Sequence, residues 1–373
     1  MGKRTSLWIL EKIHQFNTRI DCYIDVDGNE SWMKWIPPFR ACRALTSTAA
    51  VATPSGTIGD WFHPEQIQSG WVENVDYEIE SMGGFWVDMF LCSSPLASSV
   101  SAGAICNGTD TNKKAYISQP GVCPICSLND SSLTISHFRQ YLKSRFNYGG
   151  FAGAPAGTAW AGKGGLITDA HWFELWTWAR INRWLLRGNT NGYNASNHIP
   201  QWHLDPNDIG ILDPVLPASY GASLTGGGSS LWEIPISDFC GNRWEFTDGL
   251  RLYDGKIYSA GKKVNPFSSP SDGYGHADFT NTNLLISGVT TGQSIASYRT
   301  EQALKRHGIA ASTTTVGQGG FDGQGWWHNS SGEVISLRGG ACVDVAQCPG
   351  ALLLDNAPSS CNWPIGARAV LVP

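Results

Sequence analysis

The groups in this chain most capable of chemistry are its cysteines, ten in all. Three of them, Cys342, Cys348 and Cys361, stand in the C-terminal stretch RGGACVDVAQCPGALLLDNAPSSCNWPIGARAVLVP, residues 338–373. Closely spaced thiols form redox couples or hold soft metals, because the thiolate is both the nucleophile and the ligand. Cys123-Pro-Ile-Cys126 is a CxxC pair, and Cys92 and Cys106 are the nearest residues that could complete a four-ligand zinc site. Their spacing fits no zinc pattern, and a redox role calls for a thioredoxin-like βαβ setting that the flanking sequence does not offer. Reduced thiols, a structural disulfide, a structural metal and a redox pair all stay open for these four cysteines. Asp25-Val26-Asp27-Gly28 comes nearest to a calcium loop but lacks the later ligands of one. The expectation is therefore a protein without a cofactor, with structural zinc or calcium left open.

Composition narrows the class. The chain has 373 residues, 42% hydrophobic and only 15% charged, with 43 glycines and 17 tryptophans. Charged content is well below the usual quarter. Large indoles pinning loop-rich backbone are the natural reading, since aromatic side chains bury much area each. A net charge of −5 gives no basic footprint for nucleic acid. No stretch approaches the ~20 apolar residues of a membrane span. The N-terminal run LWIL is too short for a secretion signal and is followed at once by charges, so the sequons at Asn107, Asn194 and Asn329 are expected to be unmodified.

Several elements must position these groups. Residues 1–78 mix a short helical pattern at Leu7–Phe16 with strand-like sequence near Asp21–Val26, and read as an N-terminal extension packed on a main domain at 79–373. Gly83–Cys92 (GGFWVDMFLC) reads as a strand. Leu133–Phe146 carries apolar residues at helical spacing, with Asn129 to Ser132 as cap candidates, and Asp169–Leu186 reads as a second helix capped by Thr168. From 187 to 340 short strand patterns alternate with Gly, Asn, Asp and Ser turns.

Four segments carry a resemblance. Gly83–Cys92, LITDAHW at Leu166–Trp172, GNRWEFTDG at Gly241–Gly249, and the closing RGGA…IGAR at Arg338–Arg368 are similar, in order and spacing, to the motifs of the formylglycine-generating-enzyme-like version of the C-type lectin fold. The resemblance covers roughly residues 80–373 and implies an α+β fold with two helices, short antiparallel strands and many loops. In that frame Asn242, Trp244, Glu245 and Arg368 are expected to be structural. The arginine would make a forked bond to a carboxylate or carbonyls, and Gly339-Gly340 would allow close backbone approach before a strand.

The resemblance divides into an enzyme and a binding branch. The enzyme branch oxidises cysteine with a Gly-Gly-Ser-x-x-Cys-x4-Cys pair followed by arginines. Here Cys342 comes two positions early, the spacing to Cys348 is one residue longer, and Pro349, Gly350, Ala351 and three leucines stand where the arginines belong. The nearby charges are Asp344 and Asp355, which disfavour a thiolate. The chain looks more like the variable proteins of diversity-generating retroelements, which display hypervariable side chains on a lectin-like frame. Such retroelements mutate adenines, typically in AAC or AAT codons. Ala341, Cys342, Val343, Asp344, Val345, Ala346, Cys348, Asp355, Asn356, Ser360, Cys361 and Asn362 are all reachable that way, while Gln347 and Trp363 are not and belong to the fixed template. The resemblance thus implies non-catalytic recognition of a host or target cell-surface protein or glycan through Ala341–Cys348, Asp355–Asn356 and Ser360–Trp363, on a virion or cell surface. A formylglycine-type oxidase, or a plain lectin-like structural or binding domain, is the alternative. Oligomeric state is open.

Overall fold

The computed structural model describes residues 19–44, 77–97, 116–120, 122, 124–127, 133–154, 156–181, 243–253, 256–266, 332–340, 352–361 and 365–373, with the short segments 52–53, 56–57, 61–62, 186–187, 230–231, 236–237, 239, 280–285 and 326–328. Among the described residues strands dominate and there are two helices, an α+β arrangement. The strands that matter for the site are β1 (Ile20–Asp25), β2 (Glu30–Ile36), β3 (Phe39–Ala44), β4 (Tyr77–Met82), β5 (Phe85–Asp88), β6 (Gly149–Phe151), β7 (Gly164–Leu166), β8 (Trp244–Tyr253), β9 (Lys256–Ser259), β10 (Thr280–Leu285), β11 (Trp326–His328), β12 (Glu333–Arg338), β13 (Leu352–Asn356), β14 (Ile365–Gly366) and β15 (Ala369–Leu371). The helices are α1 (Ile135–Arg145) and α2 (Asp169–Ile181).

The first sheet runs β6-β1-β2-β5-β15-β7, antiparallel throughout. It joins the start of the described chain to its end, for β2 and β15 both flank β5. Strands on both sides of the expected division at residue 78 therefore share one sheet, and the division itself falls inside β4, which pairs with β3. The N-terminal sequence supplies two interior strands, β1 and β2, to this sheet, while β3 and β4 belong to a separate three-stranded sheet.

Alternation along these strands sends side chains to two cores. Tyr23, Met33, Trp86 and Leu371 point to one face, where they meet Phe138 and Leu142 of α1, Phe146 just after it, and Phe246 and Leu337 of the second sheet. Ile36, Phe85, Val87 and Val370 point to the other and meet Trp172, Phe173 and Trp176 of α2. The second sheet runs β10-β9-β8-β12-β13-β11, with β14 alongside β8 in parallel. β8 is buried along all but its last residue, as a strand covered on both sides must be.

Two glycine-dependent turns fix the layout. Gly83, at φ +75°, opens the turn from β4 into β5, and an added Cβ there would lie 2.1 Å from the Pro37 carbonyl oxygen. Its N–H donates to Glu174 on α2 at 2.8 Å. Gly339, at φ +88°, closes β12 against the Trp172 ring, 3.2 Å from where a Cβ would sit. The Gly339-Gly340 pair directly follows β12, and the residues after it, 341–351, lie outside the described residues. Within the sequence-predicted strand Gly83–Cys92, extended pairing is confined to β5 and to Cys92–Ser93, which pairs with Ile117–Ser118.

Candidate ligand-binding site

The closing segment begins at Arg338, the last residue of β12, and ends at Arg368, just before β15, and both residues are fully buried. Each guanidinium meets a carboxylate in a forked pair. Arg338 donates to Asp169 through Nε at 2.7 Å and Nη2 at 2.9 Å. Arg368 donates to Glu245 through Nε at 2.6 Å and Nη2 at 2.5 Å. Bidentate geometry sets both distance and orientation, so each pair fixes one end of the segment to another element. These are the residues through which the sequence motifs speak to one another: LITDAHW holds RGGA, and GNRWEFTDG holds IGAR.

Local sequence places the carboxylates. Thr168 is extended before α2, and its Oγ1 accepts the His171 N–H at 3.2 Å, a side-chain N-cap that starts the helix at Asp169. The same oxygen lies 2.7 Å from His171 Nδ1. Burial, with Lys262 nearby, pushes His171 down to about 3, so the ring is neutral at ordinary pH. Glu245 sits at the start of β8, beside the buried Trp244. Further along, β8 bulges between Thr247 and Arg251, and the Asp248 N–H bonds the Ile167 carbonyl at 2.9 Å. The bulge seats β8 against the α2 cap, and Asp248 takes a forked pair from Arg139 of α1, both bonds 2.9 Å.

Asp88 is the hub behind the re-entry point. Its Oδ1 accepts from Arg145 at 2.7 Å, its Oδ2 from the Ala369 N–H at 2.8 Å, and its carbonyl from Arg368 at 3.3 Å. Burial raises its pKa, against the opposing pull of Arg145. Asp88, Arg139, Arg145 and Asp248 were not singled out from sequence. The signal available was their setting: an Asp between Val87 and Met89 in an otherwise apolar run, in a chain poor in charge.

Between the clamps, β13 pairs antiparallel with β12 and parallel with β11. Its burial alternates, with Leu352, Leu354 and Asn356 inward, Leu353 half-buried and Asp355 exposed. The Asn356 amide donates to Asp355 Oδ1 at 2.6 Å. Partial burial raises the Asp355 pKa, opposed by hydrogen bonds from its own backbone and from Asn356. A tight turn follows, closed by the Ser360 N–H on the Ala357 carbonyl at 2.9 Å, and Ser360 and Cys361 are partly exposed. Of the expected binding residues, then, Asp355, Ser360 and Cys361 reach the surface and Asn356 is turned inward. Ala341, Cys342, Val343, Asp344, Val345, Ala346, Cys348, Asn362 and Trp363 lie outside the described residues.

The metal candidates are partly visible. Cys92 and Cys126 are both buried, and the Cys92 carbonyl accepts the Ile125 N–H at 2.9 Å, so the two chain segments touch. Burial pushes the Cys92 thiol well above its ordinary pKa, the opposite of a thiolate ligand poised for metal. Cys106 and Cys123 lie outside the described residues. Among the described residues no three His, Cys, Asp or Glu side chains gather as a ligand set. The Asp25 carboxylate is engaged by the β1–β2 hairpin, accepting from the Asp27 and Asn29 N–H groups at 2.9 Å each and from the Asn29 amide. Among the described residues, no helix is long and apolar enough to cross a membrane. No protein-family model matches the chain, and no curated protein matches it.

Proposed function

We propose that this chain is a ligand-binding protein whose segment between Arg338 and Arg368 is a display surface on a C-type lectin-like frame, of the kind diversified by retroelements. The observation that carries the reading is the pair of buried forks, Arg338–Asp169 and Arg368–Glu245, at the two ends of one segment. They hold the ends rigidly while the residues between them reach the surface at Asp355, Ser360 and Cys361. A rigid scaffold with exchangeable side chains at its edge is a binding design rather than a catalytic one. The target is a host or cell-surface protein or glycan, met from a virion or a cell surface.

The reading has a direct genetic test. The source genome should hold a near-copy of the coding segment for residues 338–368, with adenine-rich codons at the display positions, beside a reverse-transcriptase gene. A genome without such a copy sinks the retroelement assignment. The protein-level test is to scramble Ala341 to Ala346, Cys348, Asp355, Ser360, Cys361 and Asn362 together. The thermal midpoint should stay nearly unchanged, and unfolding of the scrambled chain would show these residues to be structural.

A further inference from the structure

Loop contents that are free to change cannot be relied on to close a loop, so a display segment, as proposed above, needs its two ends held to each other by the frame. The forks tie each end elsewhere, Arg338 to α2 through Asp169 and Arg368 to β8 through Glu245. β8 runs between the ends. Glu245 has Arg338 as its register partner on one side and Gly366 on the other, which sets the ends two strand spacings, about 10 Å, apart.

One side chain reaches both. Trp172 stands one turn beyond Asp169 on α2 and is 0% exposed. Its benzo edge meets Gly339, where a Cβ would lie 3.2 Å from Cζ2 and 3.3 Å from Cη2. The Arg368 guanidinium stands 5.7 Å from the centroid of the same indole, within cation–π range. The ring itself is fixed, for Phe239 stacks on it at 4.2 Å and an interplanar angle of 22°. Phe239 also hems the first end, its carbonyl oxygen lying 3.3 Å from a Cβ placed on Gly339. Cap, first fork and shared surface thus come from one turn of α2, Thr168 through Trp172.

We infer that Trp172 is the positioning residue of the display segment, coupling the Arg338 and Arg368 clamps so that the two ends open and close together. The exchangeable positions then contribute nothing to holding the ends, and their sequence can change without loss of closure.

Site-resolved hydrogen exchange on the full chain tests this without a ligand. Arg338→Lys keeps the charge but breaks the first fork. Exchange should quicken about tenfold beside it, at Leu337, and equally at the far end, with the β1–β2 hairpin unchanged. The far end is read at the Ala369 N–H, which bonds Asp88 next to Arg368. Trp172→Phe keeps a ring for Phe239 and Arg368 but lacks the edge that meets Gly339. In that background Arg338→Lys should still quicken Leu337 and no longer reach Ala369. An Ala369 that does not respond to Arg338→Lys in the wild-type background overturns the inference. So does a response at Ala369 that survives Trp172→Phe, which would place the coupling in β8. Quickening that extends equally to the β1–β2 hairpin would be global unfolding, and overturns it too. The display reading has its own failures, an absent genomic copy or an unfolded scrambled chain, and these leave the exchange pattern of the unscrambled chain as it is.

Discussion

Arg338 and Arg368 are buried in forked pairs with carboxylates, whereas Lys34, equally buried on β2, meets only the Arg19 carbonyl at 3.5 Å. No carboxylate among the described residues lies within ion-pair distance of it. The two regions hide charge to opposite effect. A guanidinium fork against a carboxylate fixes how two chain segments sit, and around the closing segment three such forks, on Asp169, Glu245 and Asp248, together with the single Arg145–Asp88 bond, join both helices to both sheets. A lone ammonium fixes little and carries its desolvation penalty unrelieved. Burial pushes Lys34 down to about 7 from 10.5. Charge is thus used for position around the closing segment and is merely tolerated in the N-terminal hairpin.

The largest effect should come from breaking a clamp. Arg368→Ala leaves Glu245 buried with its main counter-charge gone, and removal of one partner from a buried pair costs about 3–5 kcal/mol. Urea unfolding of the full chain measures it, and a loss below about 1 kcal/mol would mean that the fork contributes little. Replacing both partners, Arg368→Met with Glu245→Leu, should recover much of the loss, since neither charge is then stranded. That double variant also separates energy from position. It should regain stability while binding at the display edge stays impaired, because the segment has lost its fixed end.

Lys34→Met should act in the opposite direction and stabilise the chain, on the order of 2–4 kcal/mol near neutral pH. The unfolded lysine keeps its proton to about pH 10.5 while the folded one releases it above about 7. Unfolding therefore takes up a proton in that window, and this residue makes stability rise with pH across it. The advantage of Lys34→Met should accordingly be largest at and below neutrality and shrink toward pH 10. Equal urea midpoint differences at both ends of the window would show that Lys34 has a partner strong enough to keep it charged, and the contrast with the arginine clamps would fall.

Legibility from sequence follows the same division. The helix at Asp169 with Thr168 as its cap, the structural roles of Trp244, Glu245 and Arg368, and the α+β class could all be read from local patterns or motifs, because cap chemistry and helical spacing act over a few residues. Arg368 was expected to find a carboxylate or a carbonyl and finds both, Glu245 and the backbone of Asp88. What could not be read were pairings between distant residues. Asp169 and Arg338 are 169 positions apart and Asp88 meets Arg145 across 57. Neither spacing leaves a periodic trace. The membership of β1 and β2 in the main sheet was hidden for the same reason: a strand's own sequence does not say which strand it pairs with. Among the expected binding residues, the inward setting of Asn356 follows from its place in β13 rather than from residue type.

The smallest effect sharpens the comparison from the helix side. Thr168→Ala removes the hydroxyl that accepts the His171 N–H but leaves the Asp169–Arg338 fork intact. Loss of a threonine cap costs about 1 kcal/mol. If the fork holds Asp169 independently of the cap, global stability should fall by that amount, hydrogen exchange should quicken at the first turn of α2, and binding at the display edge should be unchanged. If binding falls together with the cap, Asp169 is positioned by the helix start as much as by Arg338. The clamp would then be a property of the whole turn, Thr168 through Trp172, in which the carboxylate is one member.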